Sequence, residues 1–387
     1  MNIYARFGVP TVINACGTVT RLGGGMVHPE ILAAMQEAAA SSVDMMALQA
    51  GASRVIANAT GAEAGIVTCG ASAALLLGAA SCLTGLDPAR MNALPHVPDG
   101  RNEFITVRSQ RNMYDRAMMV AGARIVEVGI PDRYSGPGVR DASAWEIDAA
   151  ITANTAGIYY LAHPRSQPPL HEVAAVAREH ALPLLVDAAA QLPPANNLRR
   201  FLEQGADLVA FSGGKVVGGP QASGILCGRA DLVCSALLQM LDLDVFRDLW
   251  RAPAEFALLQ QLRGLPHHGI GRSCKVGKEE IVGLLVALEH FAGANDTTRQ
   301  HTWRRTLAEI VTSAGDVPGI ALHIADGPVP MLEVTVSDAS EAAARLASGT
   351  PSIQCSLARR HERVLLFSPV SLTLEEARMI GERLRDL

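Results

Sequence analysis

Along the first two thirds of the chain, short runs that are apolar at nearly every position alternate with longer runs apolar on one face. The short kind comprises "AGIVTCG" (64–70), "EFITV" (103–107), "RIVEV" (124–128), "TAGIYYLAH" (155–163), "LPLLVDAA" (182–189), "DLVAFSGG" (207–214) and "SGILCG" (223–228). Continuous apolar runs of this length predict strands buried on both faces, as in a mainly parallel sheet covered by helices. The intervening "ASAALLLGAASCLTG" and "LHEVAAVAREHA", like the earlier "HPEILAAMQEAAASS", predict helices. After about residue 235 the pattern changes. "EEIVGLLVALEHFA" (279–292) and "DTTRQHTWRRTLAEIVTSAG" predict two long helices, and "MLEVTV" and "RVLLFS" predict strands among further helical segments. The expectation is an α/β protein in three parts: an N-terminal arm or small-domain segment over 1–45, a large domain over 46–260, and a smaller C-terminal α/β domain over 261–387.

Composition sharpens this picture. Of the 387 residues, 49% are hydrophobic but only 4% aromatic, so the interior is expected to be built from Ala, Val, Leu and Ile. The net charge of −5 and the lack of a long basic run speak against a protein whose main task is gripping nucleic acid. Seven cysteines (16, 69, 82, 227, 234, 274, 355) are scattered, with no C-x-x-C pair and no histidine at ligand spacing. That pattern fits reduced thiols, with no metal expected. The opening "MNIYARFGVPTVINACG" is not a charged-then-apolar leader, and no apolar run reaches the roughly 20 residues needed to cross a bilayer. The expected location is the cytoplasm.

Candidate chemistry centres on "FSGGKVVGGPQASG" (211–224), where Lys215 stands between two pairs of glycines. A Walker loop needs a glycine where Val209 stands and Ser or Thr where Val216 stands. A dinucleotide loop fails as well, since no G-x-G-x-x-G follows the first strand. Two other features bear on Lys215. Asp187 ends the run "LPLLVDAA", which sets a carboxylate at the carboxyl edge of the sheet, where open α/β proteins bind ligands. In "TCGASAALLL", Gly70, Ala71 and Ser72 form a strand-to-helix junction whose N–H groups, hydroxyl and helix dipole suit a phosphate. Singly these are an acidic strand end, an ordinary helix start and a turn lysine. Together and in this order they match pyridoxal phosphate, which needs a helix N-terminus for its phosphate, a carboxylate for its ring nitrogen and a lysine for its aldehyde. The glycines flanking Lys215 would leave room for a planar cofactor and a swinging side chain, and Ser212 would add a phosphate hydrogen bond.

The stretch "VDAAAQLPP…GADLVAFSGGKVVGGPQASGIL" resembles the aspartate-aminotransferase-like superfamily (fold type I), and within it the bacterial L-seryl-tRNA selenium transferase, or selenocysteine synthase, family. "SGGKVVGGPQASGIL" is the most specific match, and "VINACGTVT", "TGAEAGIVTCGASAALLL", "GARIVEVG" and "GRSCKVGKEE" follow in the family's order. The resemblance implies a covalent cofactor link at Lys215, a ring-nitrogen contact at Asp187, a phosphate cup from Gly70, Ala71, Ser72 and Ser212, and a homodimer or larger oligomer. The tRNA-modifying members carry an N-terminal tRNA-binding extension, whereas here the opening motif stands by residue 12. With the acidic balance, this makes a small amino acid the expected substrate, as in the D-glucosaminate-6-phosphate ammonia-lyase-like members.

Several further residues complete the candidate set. Gln110, Arg111, His163 and Arg165 each follow a predicted strand end and are candidates for the cofactor (Gln110) or the substrate (Arg111, His163, Arg165). Gln191 is a candidate for the cofactor phenolate, while Arg272 and Lys275 in "GRSCKVGK" are candidates for a carboxylate or phosphate. Arg359, Arg360 and Arg363 read as surface. The expected activity is a pyridoxal-phosphate lyase that removes ammonia from a β-hydroxy amino acid, with Lys215 as base. An amino-acid racemase uses the same Cα carbanion, selenium or sulfur transfer to aminoacyl-tRNA is a third reading, and a non-catalytic regulator or binding module is a fourth.

Overall fold

The computed structural model describes residues 3–130 and 141–387. Its strands, in chain order, are β1 (Val12–Ala15), β2 (Ala64–Thr68), β3 (Glu103–Val107), β4 (Arg124–Val128), β5 (Thr155–Leu161), β6 (Leu184–Asp187), β7 (Leu208–Ser212), β8 (Gly224–Gly228), β9 (Ala321–Ala325), β10 (Met331–Thr335), β11 (Ser352–Cys355) and β12 (Val364–Phe367). The chain divides into two compact units, one of residues 27–292 and one of residues 1–26 with 293–387.

The larger unit is built on a seven-stranded sheet of order β2-β8-β7-β6-β5-β3-β4. All neighbours pair in parallel except β8, which runs antiparallel to both β2 and β7. The predicted apolar runs are these strands. β2, β3, β6 and β8 are buried at every position, because helices cover the sheet and leave no solvated face for polar residues. The helix Ala71–Thr84 is also apolar nearly all round and lies buried along most of its length. Since β2, β3, β4, β5, β6 and β7 share one direction, their carboxyl ends and the following loops meet at one edge. This is a mainly parallel α/β fold of type I.

The smaller unit holds a parallel pair, β1 with β11, and an antiparallel sheet of order β12-β10-β9. Its separate core contains Ile13, Leu307, Ile310, Val334, Phe367 and Ile380.

The sequence reading placed the divisions at 45 and 260; the structure has them at 26 and 292. The helices Pro29–Ala39 and Lys278–Gly293 account for the shift. Ile31, Ile281, Leu284, Leu288 and Phe291 join the larger unit's core, and Lys278 Nζ donates to the carbonyls of Ala38, Ala39 and Ser41 at 2.8–3.1 Å. Among the described residues no helix is long and apolar enough to cross a membrane.

Candidate active site

Adjacent strands bring the chemistry to one edge of the sheet. Asp187 is the last residue of β6 and pairs in register with Ala210 of β7, and β7 then runs into the loop that carries Lys215. The Asp187 carboxylate is only 5% exposed. Its Oδ1 accepts the Ala189 N–H at 3.0 Å, and its Oδ2 accepts the Tyr159 hydroxyl at 3.2 Å. Burial pushes the Asp187 carboxyl above its ordinary range; the Ala189 N–H, the Tyr159 hydroxyl and the Lys215 charge pull the other way without cancelling the shift. Lys215 is half-buried, and burial holds its amine below the ordinary lysine value, opposed by the Asp187 charge. Both groups therefore lean toward their neutral forms, although each carries an opposite charge as neighbour. Such a pair is poised to accept a further partner, a cation for the carboxylate and an electrophile for the amine.

The loop after β7 is a folded hairpin, and its glycines serve the fold. Gly213 N–H donates to Ser223 O at 2.9 Å, Gly219 N–H to Gly213 O at 2.9 Å, and Gly218 N–H to Lys215 O at 3.0 Å, closing a turn with Gly218 at φ +81°. A Cβ on Gly213 would stand 2.3 Å from Ser223 Oγ and 2.5 Å from Leu284 Cδ1; one on Gly214 would stand 2.7 Å from the Gln221 backbone. The expectation that these glycines clear space for the cofactor is therefore corrected: Gly213 and Gly214 let the loop fold back on itself and fix the base of Lys215.

The junction after β2 lies across β8 from this loop. Ser212 and Thr68 both pair in register with Gly224, one from each side. The turn of Gly70 and Ala71 closes over Gly224, where a Cβ would lie 2.4 Å from Gly70 C and 2.6 Å from Ala71 N. Gly70 takes φ +126°, which favours glycine, and opens the helix Ala71–Thr84 without a side-chain cap. The N–H groups of that first turn have no partner within the helix, so they and the exposed Ser72 hydroxyl present donors at the positive end of its dipole. Across this turn, Cys274 lies against Cys69; burial and that neighbouring thiol raise the Cys69 pKa. The segment carrying Arg272 and Lys275 thus reaches the same junction.

Other candidates are committed elsewhere. Gln110 is 2% exposed and bridges two segments: Oε1 accepts Leu161 N–H at 3.0 Å and Nε2 donates to Gln167 O at 3.2 Å. Its amide is thereby spent on the scaffold at both ends, contrary to the cofactor role expected of it. Arg111 is paired with Asp115 and Glu127, which removes it as an unpaired substrate cation. Arg272 Nη2 holds Asp242 at 2.7 Å. His163 and Arg165 are exposed and line a small cleft with Ser109, Gln110, Leu161 and Ser166, and His163 Nδ1 accepts the Arg165 N–H at 3.0 Å. Gln191 is half-buried, and its carbonyl accepts from Asn197. In the smaller unit, Arg359 pairs with Glu333 and Glu362, while Arg360 and Arg363 are exposed.

Tyr159 and Asn112 were missed. Tyr159 shares a face with Leu161, the residue in register with Asp187, so its hydroxyl reaches the carboxylate diagonally. Asn112 Nδ2 lies 3.5 Å from the same hydroxyl. A signal existed: the chain has only five tyrosines, and two stand side by side in an otherwise apolar strand.

Comparison with known proteins bears on the family. The L-seryl-tRNA selenium transferase family model matches residues 12–244, from β1 past the Lys215 loop. The chain belongs to this family. It is 30% identical to a 5'-C-glycyluridine monooxygenase-decarboxylase from a Streptomyces species, over 99% of this chain and 91% of that one. It is 29% identical to the D-glucosaminate-6-phosphate ammonia lyase of Salmonella typhimurium, over 100% and 98% of the two chains. A solved D-glucosaminate-6-phosphate ammonia-lyase superposes over 100% of this chain and 98% of its own, with a TM-score of 0.80 and 27% identity. As a member of the L-seryl-tRNA selenium transferase family, the chain thus matches these two enzymes over nearly their full length.

Proposed function

We propose that this protein is a pyridoxal-phosphate-dependent ammonia-lyase acting on a small β-hydroxy amino acid. The observation that carries the reading is the buried, hydrogen-bonded Asp187 at the sheet edge, whose charge acts on Lys215 in the loop after the adjacent strand, together with an uncapped helix start. These residues fit the cofactor. Gly70, Ala71 and Ser72 would hold its phosphate, with Ser212 across Gly224; Asp187 would hold its ring nitrogen; and Lys215 would join its carbonyl carbon. When bound, pyridoxal phosphate supplies an electron sink that stabilises negative charge at the substrate Cα.

The chain's own residues supply the rest. Tyr159 and the Ala189 N–H fix the Asp187 carboxylate, which would hold a protonated ring nitrogen by charge. Burial, which lowers the Lys215 pKa from the ordinary lysine value, favours the neutral amine that a base for the proton at Cα requires. Overall, the Cα proton and the β-hydroxyl leave as water, a second water is consumed as ammonia is released, and the product is a 2-keto acid.

An oligomer belongs to the same reading. The larger unit has a groove of about 930 Å³ that includes Val43, Val245, Phe246 and Leu249, with Phe246 76% and Leu249 73% exposed. A second copy covering that face would bury them.

The test is a panel of D- and L-β-hydroxy amino acids, with and without a terminal phosphate, incubated with the loaded enzyme in deuterated water. Stoichiometric ammonia and 2-keto acid are expected. Deuterated antipode without ammonia would make it a racemase, and oxygen uptake with carbon dioxide release would make it a decarboxylating oxygenase.

A further inference from the structure

Three side chains remote in sequence converge within the larger unit, outside the site described above. His28 caps the helix Pro29–Ala39, Glu30 lies in its first turn, and His290 lies in the last turn of the helix Lys278–Gly293. Glu30 Oε2 is 3.1 Å from His290 Nε2 and 4.0 Å from His28 Nδ1, and one ligand atom of each residue lies within 4.8 Å of the others. The imidazoles stand edge to face, 5.8 Å between centroids at 81°. We propose that His28, Glu30 and His290 bind one divalent first-row cation of the zinc class.

The chemistry favours that ion. Two imidazoles and one carboxylate form a nitrogen-rich set, which suits zinc, cobalt or nickel over magnesium or calcium. Tetrahedral bonds of about 2.0–2.2 Å put ligand atoms roughly 3.4 Å apart. The 3.1 and 4.0 Å separations bracket that spacing, so small rotamer changes complete the site, with ligation by His28 Nδ1 replacing the 3.4 Å bond that it accepts from the Glu30 N–H. All three residues are exposed, which leaves water to fill the open position. Pro29 at the first helical position restrains the backbone between two of the ligands. His28 stands two residues after the point where the chain enters the larger unit, and His290 two residues before the point where it leaves. A bound ion would cross-link those two points and stabilise the unit without touching Lys215.

The test uses the full-length chain stripped with chelator and titrated with Zn²⁺ by calorimetry and with Co²⁺ by visible absorption. Variants Glu30→Gln, His290→Gln and His28→Asn are compared; asparagine keeps the helix cap. The expected result is one ion per chain, a higher melting temperature with Zn²⁺, and affinity reduced about ten-fold or more in each variant while metal-free melting is unchanged. The proposal is overturned if the wild type binds no Zn²⁺ at micromolar concentration. It is equally overturned if Glu30→Gln and His290→Gln bind as tightly as wild type, which would move the ion to another site such as the thiols.

Discussion

At Asp187 the local environment and the proposed chemistry make opposite demands. Burial favours the protonated acid, while a cationic ring partner requires the carboxylate, so the Ala189 N–H and Tyr159 hydroxyl matter as fixed donors to the charged form. Asp187→Asn keeps the shape and removes the charge. Its expected effect is a fall in turnover of about 10²–10³-fold, measured as ammonia release, with the fold intact by circular dichroism. The same variant has a signed pH consequence. Burial already sets the Lys215 midpoint below that of an exposed lysine, and the Asp187 charge is what opposes the shift. Without that charge the midpoint for labelling the Lys215 amine moves to still lower pH; a move upward would contradict the coupling. Lys215, Asp187 and Ser212 stand out as candidates in the sequence because each sits in a local pattern, a strand end or a glycine-flanked turn. The bonds that hold Gln110 and the pairing of Arg111 with Glu127 do not show in the local sequence, because Leu161, Gln167 and Glu127 lie farther along the chain. Local sequence cannot separate a free polar group from a satisfied one.

Among the elements, β8 is the one the chemistry leans on without contributing a reactive group. It runs antiparallel between β2 and β7, and Gly224 at its start lets the turn of Gly70 and Ala71 close down beside Ser212. Gly224→Ala would force a methyl group into backbone atoms that cannot give way. The expected cost is about 1–3 kcal/mol of stability, read by denaturant melts, together with weakened retention of pyridoxal phosphate. Wild-type retention in this variant would mean that the turn does not hold the phosphate. The strands β2, β3, β6 and β8 were readable because burial on both faces writes a continuous apolar run, whereas β4, at the sheet edge, alternates Ile125, Val126 and Val128 with the exposed Arg124 and Glu127. β9 was not readable, since its positions are exposed or half-buried and give no apolar run, and β1 was not, since its partner β11 lies at the other end of the chain.

For the whole molecule, the two cores divide the work. Every catalytic candidate lies in residues 27–292, and the smaller unit packs around its own sheets and helices. The exposed Phe246 and Leu249 give the larger unit an apolar face that a lone chain leaves in water. Replacing both with aspartate is expected to convert the proposed oligomer to single chains in size-exclusion chromatography with light scattering; an unchanged mass would place any self-association elsewhere. The central claim is that Lys215 is the cofactor lysine, and one measurement reaches it directly. The protein is incubated with pyridoxal phosphate, reduced with borohydride, digested and mapped by mass spectrometry. The account predicts a near-violet absorption band that reduction abolishes, one phosphopyridoxyl group per chain on the peptide containing Lys215, and neither in Lys215→Ala. A stoichiometric adduct on another lysine, or no adduct at all, would contradict it.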